Sequence, residues 1–447
     1  MNQHVRFITL GCKVNQYETQ AMRESLLGAG IAEPERFGGQ ALSTEVDFVV
    51  INTCTVTQKA DRENLYWIRR ARREHPAAKI VVTGCMVEHG RRQLSGLAEV
   101  DLVLANEEKA DIAGHLSAGC GSPELQDAVR RERRRTYASL VISKTDGQGR
   151  AFVKIQDGCN HACSFCKVVL VRGRARSRPA GEVLDEVKRL RDSGYREIVF
   201  AGIQLGAYGS DLGLQGGLVQ VLEASAGVQG IERLRLSSIE PTDVTPALID
   251  ALAGLPKCCP HLHIPLQSGD DEILQGMNRR YHRAFYLDLV ERLKARLPDF
   301  SLTLDVMTGF PGEEERHFQN TAEFLDQVQP LKCHVFPYSA REGTRAFHWP
   351  SEVRIAKERT RVLMRRSDVW GKKIREKYLG RTLRVLAEKA TGRGRLLEGL
   401  TPNYLKVCFQ GDATGVGKSF PVQLLHLEED TFLGRVVPES PHGERGI

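Results

Sequence analysis

The feature that most constrains the fold is a repeated alternation of strand-like and helix-like segments between residues 150 and 345. Six short runs rich in β-formers occur there: Phe152–Ile155, Ile198–Ala201, Arg233–Leu236, Leu262–Leu266, Leu302–Val306 and His334–Tyr338. Helical segments separate most of them, including Val183–Leu190, Tyr286–Arg296 and Phe318–Gln327. Six β/α units predict a partial (β/α)6 barrel, whose functional site should lie at the carboxyl ends of its strands.

The first 115 or so residues show the same alternation on a smaller scale. Strands are predicted at Arg6–Leu10, Asp47–Ile51 and Lys79–Val82, with helices at Gln20–Leu27 and Ala60–Glu74. The second and third strands end in continuous apolar runs, which is typical of buried parallel strands. This order predicts a parallel sheet with helices on its faces.

The last hundred residues show a different pattern of predicted secondary structure. A basic helix is predicted from Val353 to about Lys377, with one apolar face that should pack on a core: Ile355, Val362, Leu363, Trp370, Ile374 and Tyr378. Short strands follow at Thr382–Ala387, Leu405–Phe409, Val422–Leu427 and Phe432–Val436. We therefore predict an α/β protein with domains over residues 1–125, 126–377 and 378–440, the last a small all-β module.

Composition excludes several classes of protein. Of the 447 residues, 41% are hydrophobic and 27% charged, which fits a globular chain rather than a disordered one. No apolar run is long enough to span a membrane, and the amino terminus lacks a secretory signal, so we expect a cytoplasmic protein without a membrane partner. Eleven cysteines in such a chain are expected to be thiols and metal ligands rather than a disulfide scaffold.

Charge is unevenly distributed along the chain. The net charge is +7, and residues 353–381 alone hold eleven Lys and Arg against three Asp and Glu, a net +8. This excess suits an anionic partner. The separate run Arg130–Arg135 is interpreted as a solvated linker or helix face.

Three cysteines follow the first barrel strand in the pattern Cys159-x3-Cys163-x2-Cys166. Three thiolates on one tight loop can bind three irons of a [4Fe–4S] cluster, which leaves the fourth iron open to a small molecule. A zinc site that recruits His161 is an alternative, although zinc sites more often use paired C-x2-C elements. A thioredoxin-like redox pair would leave Cys159 unexplained.

A second set of cysteines is visible only through the predicted topology. Cys12, Cys54 and Cys85 each follow one of the three amino-terminal strands. The carboxyl ends of parallel strands share one edge of a sheet, so these thiols can converge on a second cluster. Three separate buried thiols are the alternative. The remaining cysteines show no such pattern and are interpreted as structural or incidental: Cys120, Cys258, Cys259, Cys333 and Cys408.

Together these motifs resemble the radical S-adenosylmethionine methylthiotransferase family. The strings that carry the resemblance are Thr9–Glu18, Asn52–Thr57, Arg172–Arg178, Ser237–Pro241, His263–Gly269, Gly309–Gly312 and Phe336–Ser339. The resemblance implies an amino-terminal cluster domain, a radical barrel and a carboxyl-terminal RNA-binding β-barrel called TRAM. Gly11–Tyr17 and Thr53–Thr57 are most similar to the branch that acts on N6-threonylcarbamoyladenosine at position 37 of tRNA.

The family implies an activity and its cofactors. The expected reaction is methylthiolation of carbon 2 of that adenosine, with S-adenosylmethionine and two [4Fe–4S] clusters held by the two cysteine sets. Expected partners are the anticodon loop of tRNA, an electron donor such as flavodoxin or ferredoxin, and a sulfur source. Alternatives are methylthiolation of isopentenyladenosine or of a ribosomal protein side chain. A non-catalytic iron–sulfur RNA-binding protein is a third.

Further contacts are expected at or just past the ends of barrel strands. Candidates for S-adenosylmethionine binding are Gly202, Gln204, Glu240, Gln267 and Asp305, with turn and capping roles as the open alternative. Candidates for contact with tRNA phosphates follow the cysteine loop: Arg172, Arg174, Arg176 and Arg178.

Two other patterns are not interpreted as sites. Gly411–Ser419 looks like a phosphate-binding loop, but its first glycine is one position too early and Pro421 prevents the helix that must follow. His261 and His263 share a strand face without further partners and are interpreted as core or site-wall residues.

Overall fold

The computed structural model describes residues 3–33, 36–37, 40–41, 46–118, 137, 139–145, 149–392 and 395–438. The basic run Arg130–Arg135 and Cys120 lie outside these ranges. The chain forms two compact units. The first comprises Met1–Lys144, Lys154–Arg178 and Ser339–Phe347, and the second comprises Thr145–Val153, Pro179–Tyr338 and His348–Ile447.

A five-stranded sheet forms the centre of the first unit. Its strands are β1 (Gln3–Thr9), β2 (Ile31–Ala32), β5 (Phe48–Thr53), β6 (Lys79–Gly84) and β7 (Leu102–Val103). They lie in the order β2-β1-β5-β6-β7, and every neighbouring pair is parallel. Alternate residues of β5 pack on opposite faces, with Val50 in one apolar cluster and Val49 and Ile51 in another. The sheet is therefore buried on both faces, as a parallel sheet should be.

Helices cover this sheet, and a short ribbon follows it in the sequence. The helices are α1 (Lys13–Gly28), α2 (Gln58–Glu74), α3 (Cys85–Ser95) and α4 (Ile112–Ala118), and a two-stranded ribbon joins β3 (Arg36–Phe37) and β4 (Gln40–Ala41). The cysteine loop also belongs to this unit. It is closed by the antiparallel pair β9 (Gln156–Asp157) and β10 (Arg176–Ser177) and contains the short helix α5 (Val168–Arg172).

Six barrel strands run in chain order through the second unit. They are β8 (Arg150–Lys154), β11 (Glu197–Ala201), β12 (Arg233–Leu236), β13 (His261–His263), β14 (Ser301–Thr308) and β15 (Lys332–Pro337). The first three form one sheet and the last three another. A parallel bridge between Ser238 and His263 joins the two sheets. The six predicted strands are thus confirmed, and the fold is the expected open α/β barrel.

The helices between these strands are α6 (Ala180–Asp192), α7 (Gly217–Ala226), α8 (Pro246–Gly254), α9 (Asp271–Gly276), α10 (Arg283–Arg296) and α11 (Glu315–Val328). The three predicted ones, α6, α10 and α11, extend a few residues beyond their predicted bounds. The basic helix α12 (Val353–Glu376) follows the last barrel strand and closely matches its predicted range. Several begin at side chains that accept a hydrogen bond from the first turn, such as Thr245 from the amide of Leu248. Such caps satisfy amides that have no partner within the helix.

A closed five-stranded barrel ends the chain. Its strands are β16 (Thr382–Thr391), β17 (Leu396–Leu400), β18 (Lys406–Gln410), β19 (Ser419–Glu428) and β20 (Thr431–Val436), in the order β16-β17-β18-β20-β19. Closure removes free strand edges. Within Gly411–Ser419, Ala413–Gly415 form a short turn of 3-10 helix before β19. The segment is not a hairpin turn, because β20 lies between β18 and β19 in the barrel.

Two local predictions need correction. Val362 lies on the exposed side of α12, because Leu363 and Trp370 occupy the buried face and Val362 is rotated away from them. The strand Leu396–Leu400 was not predicted. Among the described residues, no helix is long and apolar enough to cross a bilayer.

Candidate functional site

The first unit brings Cys12, Cys54 and Cys85 to one edge of its sheet. Cys12 follows β1 and caps α1, Cys54 follows β5, and Cys85 follows β6 and begins α3. The strands β1, β5 and β6 are direct neighbours, and Thr53 is in register with Gly84. Three thiols therefore converge where the topology predicts a ligand site.

Two glycines make this convergence possible. Gly11 and Gly84 have φ values of +97° and +100°, a backbone region that side chains disfavour. A Cβ on Gly11 would lie 2.9 Å from the Cys54 sulfur, and one on Gly84 would lie 2.3 Å from the Thr53 carbonyl oxygen. The chain can turn into the helix and present the cysteine only if both positions lack a side chain.

Buried asparagines hold the backbone around these cysteines. Asn64 accepts a hydrogen bond from the Cys54 amide at 3.3 Å and donates to the Cys54 carbonyl at 2.5 Å. Asn15 donates to the carbonyls of Leu10 and Thr53 at 2.7 and 3.0 Å. Loops that would otherwise expose unpaired polar groups are thereby fixed within the core.

The three thiols also influence one another electrostatically. Burial, together with the neighbouring charges of Cys85 and Cys12, raises the pKa of the Cys54 thiol to about 12. Burial likewise raises the pKa of Cys85, while Arg172 lowers it. Ionising all three in so small a volume requires nearby positive charge, which bound iron supplies.

The Cys159–Cys166 loop is built as a tight hairpin whose ends are pinned. The Cys159 amide donates to the Gly173 carbonyl at 3.0 Å, and the His161 amide donates to the Cys159 sulfur at 3.3 Å. Gly158 has a φ of +72°, and a Cβ there would lie 2.0 Å from the Arg174 carbonyl oxygen. The half-buried cysteines of this loop are Cys159, Cys163 and Cys166.

Arg172 physically connects the two cysteine sets. It ends α5, six residues after Cys166, and its side chain is 2% exposed. Its Nε donates to the Cys85 sulfur at 3.2 Å, and its terminal nitrogens donate to Glu18 at 2.8 Å and Asn15 at 2.7 Å. The loop and the sheet edge therefore share one guanidinium.

Two buried carboxylates bind the cations around this position. Glu18 lies 2.5 Å from Lys109, 2.7 Å from Lys154 and 2.8 Å from Arg172. Asp157 lies 2.7 Å from Lys154 and 3.1 Å from Arg172. Burial alone would raise the pKa of Glu18, but the surrounding cations outweigh it and hold this pKa well below its usual range.

These two carboxylates were not predicted as site residues, although the pattern of polar residues on α1 indicates a buried network. Asn15 and Glu18 are three residues apart on α1, and both lie on the same buried side as Met22. Polar residues at core-facing positions of a helix mark a buried network. Arg341 is a second residue of this site that the sequence patterns did not indicate. It donates to Thr55 at 2.9 Å and pairs with Asp61 beside the Cys54 turn.

The four arginines predicted to contact phosphate have different surroundings. Arg172, Arg176 and Arg178 are buried, and Arg172 is bound by carboxylates, so this structure gives phosphates no access to these three. Only Arg174 of the four is exposed. We therefore correct the prediction: phosphate contact remains a prediction for Arg174, whereas the other three stabilise the loop.

In the second unit, Gln267 carries the clearest signs of a ligand contact. It has a φ of +67° although it is not glycine, and its buried Oε1 has no hydrogen-bond partner among the described residues. Its amide donates to the Asp305 carbonyl at 2.8 Å, which places these two candidates side by side. A strained backbone with an unsatisfied acceptor is an arrangement found at functional sites.

The other barrel candidates have partners within the protein. Gly202 directly follows β11, and Gln204 lies 3.4 Å from the Asp243 carboxylate. Glu240 pairs with Arg279. Asp305 lies within β14 rather than at its end, so its predicted position is corrected, and its carboxylate lies 3.1 Å from His263.

Comparison with known proteins identifies the family. Residues 153–325 match the model of the Radical SAM superfamily, and residues 4–105 match Uncharacterized protein family UPF0004. A threonylcarbamoyladenosine tRNA methylthiotransferase of Chlamydia pneumoniae is 36% identical over 97% of this chain and 98% of its own length. The chain belongs to the radical S-adenosylmethionine methylthiotransferase family.

Two further similarities bear on substrate and fold. A tRNA-2-methylthio-N(6)-dimethylallyladenosine synthase of Acetivibrio thermocellus is 31% identical over 96% of this chain and 90% of its own. A radical S-adenosylmethionine methyltransferase of Kitasatospora setae, solved with cobalamin and a [4Fe–4S] cluster, aligns with a TM-score of 0.56 and 15% identity. It covers 78% of this chain and 77% of its own, and it supports the fold alone.

Family membership assigns S-adenosylmethionine and [4Fe–4S] clusters as cofactors. The donor sets fit such clusters, since each set offers three thiols on short, pinned turns. Among the described residues, no three His, Cys, Asp or Glu side chains converge as tightly as a single metal ion requires. A cluster does not need that spacing, because each thiolate binds a different iron.

Proposed function

We propose that this enzyme attaches a methylthio group to carbon 2 of N6-threonylcarbamoyladenosine at position 37 of tRNA. The observation that carries the proposal is the pairing of two three-cysteine sets in one unit, with Arg172 donating to Cys85. The 36% identity to a threonylcarbamoyladenosine enzyme over nearly the whole chain supports the choice of nucleoside.

The two cysteine sets have different proposed roles. Cys159, Cys163 and Cys166 would hold the cluster that binds S-adenosylmethionine, and Cys12, Cys54 and Cys85 would hold the second. When bound, S-adenosylmethionine and a reduced cluster supply the radical that removes the hydrogen from carbon 2. The protein would hold both clusters on its cysteine turns and orient the reactants.

In the barrel, Gln267 would orient S-adenosylmethionine. Its buried Oε1 can accept a hydrogen bond from an amino or hydroxyl group of that cofactor. Asp305, beside it in the sheet, offers a carboxylate already held by His263. Gly202, Gln204 and Glu240 remain further candidates on earlier turns of the same barrel.

A second modified nucleoside is a candidate substrate. The 31% identity to a dimethylallyladenosine synthase covers almost as much of the chain as the identity to the threonylcarbamoyladenosine relative. Isopentenyladenosine is therefore the competing substrate. An electron donor such as flavodoxin or ferredoxin, a sulfur source and a cytoplasmic location belong to the same proposal.

The deciding experiment offers purified, iron-reconstituted enzyme two tRNAs that differ only at position 37. One carries N6-threonylcarbamoyladenosine and the other isopentenyladenosine, and nucleosides are measured by mass spectrometry. We expect the 2-methylthio product from the first tRNA only. A product from the second alone would reassign the substrate, and no product from either would contradict the activity on tRNA.

Cysteine variants test the ligand assignments separately. Cys159→Ala should abolish formation of 5′-deoxyadenosine, whereas Cys12→Ala should retain it and lose the methylthio product. Cys408→Ala, a half-buried cysteine of the terminal barrel, is the matched control and should retain both. Survival of 5′-deoxyadenosine formation in Cys159→Ala would refute the assignment of that loop.

A further inference from the structure

One ridge of α12 presents an unusual row of cations, which winds obliquely around the helix because four residues make slightly more than one turn. Its members are exposed and follow one another at four-residue steps, with Val369 in the one apolar place. They are Lys357, Arg361, Arg365, Lys373 and Lys377, which we call the cationic stripe. At about 1.5 Å per residue the stripe extends about 30 Å along the helix.

The stripe lacks the carboxylate partners that other cations of this helix have. Arg354 pairs with Glu358 and Lys372 with Glu376, both one turn apart. In the part of the chain that the structure describes, no ion pair involves a member of the stripe. The contrast lies within one helix, so it does not follow from overall composition.

Such an arrangement reduces the stability of the isolated helix. Like charges one turn apart destabilise a helix, and the stripe contains three such pairs. Leu363 and Trp370 of α12 are buried against the protein, so the stripe is not needed to hold the helix in place. An anion bound along the stripe would remove this repulsion between its cations.

The surface beside the stripe is concave. Arg365, Val369 and Lys373 line an open cavity of about 450 Å³ together with residues at the end of α11. Val369 is 53% exposed, which adds an apolar contact between two cations. A groove that combines regularly spaced cations with a small apolar surface suits a nucleic acid backbone.

We propose that the cationic stripe binds the phosphate backbone of the tRNA substrate. This inference rests on the proposed function, since it assumes that tRNA is the partner. The five charges account for most of the net +8 of residues 353–381. A membrane surface is a poorer partner, because the apolar face of α12 is already buried within the protein.

The test compares two variants with the same loss of charge on the same helix. The stripe variant is Arg361→Gln with Arg365→Gln, and the control is Arg354→Gln with Lys372→Gln. Affinity for tRNA is measured by filter binding from 50 to 300 mM KCl. Each lost phosphate contact should lower the slope of log affinity against log salt by about 0.7–0.9, so the stripe variant should lose about 1.4 to 1.8.

The control variant should keep the slope of the wild type. Equal slope changes in both variants would overturn the proposal, because net charge alone would then explain binding. An unchanged slope in the stripe variant would also overturn the proposal. Altered binding to anionic vesicles or to an acidic protein, with tRNA affinity unchanged, would overturn it in favour of that other partner. Failure of the wild type to bind tRNA would instead contradict the proposed function.

Folding defects can be separated from lost binding. Removing like charges from the stripe should leave the melting temperature unchanged or slightly raise it. Formation of 5′-deoxyadenosine without tRNA should also be unchanged, since these arginines lie outside both cysteine sets. A stripe variant that retains both properties but has lost salt-dependent tRNA binding is the expected result.

Discussion

Glu18→Gln is the perturbation that most directly tests the buried charge network of the first unit. The carboxylate is 2% exposed and lies within 2.8 Å of nitrogens from Lys109, Lys154 and Arg172. Neutralising it leaves three buried cations with Asp157 as the carboxylate still within reach of two of them. Removing one partner of a buried ion pair destabilises a protein by about 3–5 kcal/mol, and we expect a loss in that range.

The assay is urea denaturation of apo protein followed by fluorescence and circular dichroism. Glu63→Gln on α2, an exposed carboxylate of the same unit, is the control and should change the free energy of unfolding by less than about 0.5 kcal/mol. A loss below about 1 kcal/mol in Glu18→Gln would refute the reasoning, since that is the range of exposed ion pairs.

The pH dependence gives the same prediction a second readout. The pKa of Glu18 is lowered in the folded protein, so its contribution is complete above the unfolded pKa of about 4.3 and declines as pH falls below that value. The difference in unfolding free energy between wild type and Glu18→Gln should therefore be constant from pH 6 to 8 and shrink in more acidic solution. A difference that grows as the pH falls would contradict the assigned sign.

Three other variants extend these tests. Gly84→Ala should lower the unfolding free energy by about 2 kcal/mol or more because of its φ and its contact with β5, whereas Gly28→Ala, in open space, should be neutral or stabilising in the same thermal denaturation. Arg172→Lys should lower the reduction potential of one cluster in an EPR-monitored titration, with iron content as the control, because it removes a hydrogen bond to a thiol sulfur. Arg235→Met should destabilise the second unit by about 3–5 kcal/mol in urea, since it leaves Glu197 buried without that partner.

Much of the fold follows from patterns that are local in the sequence. The six barrel strands and the parallel amino-terminal sheet were predicted because apolar runs alternate with helical periodicity. The convergence of Cys12, Cys54 and Cys85 also followed from topology, since each residue comes directly after a strand. Such predictions need only the direction and order of the strands.

The errors occurred where distant segments decide the structure. The strand Leu396–Leu400 contains Gly399, where a Cβ would lie 2.0 Å from the Leu386 carbonyl oxygen on the neighbouring strand. The close approach of β16 explains a glycine in that strand, and the apolar pattern alone does not show this approach. Val362 was placed on the buried face because apolar spacing alone cannot resolve a rotation of one residue.

The arginines after the cysteine loop show the same limit for charge. Their spacing predicted a common role in phosphate contact, yet Arg172 is buried against Glu18, which is 154 positions away in the sequence. Nothing in the local sequence distinguishes it from Arg174, which is exposed. Burial of a cation depends on a carboxylate supplied by another element, and sequence spacing carries no information about that partner.

The buried network and the cysteine set balance each other in charge. Four buried cations, Lys109, Lys154, Arg172 and Arg176, surround the two carboxylates of this network. An excess of buried positive charge is unfavourable unless an anionic group lies close by. Thiolates that bind iron are anionic, and Arg172 already donates to the sulfur of Cys85. The cations are therefore placed to stabilise a thiolate-bound cluster more than the empty thiols, so metal loading should stabilise the wild type more than Arg172→Gln, which lacks one of these charges.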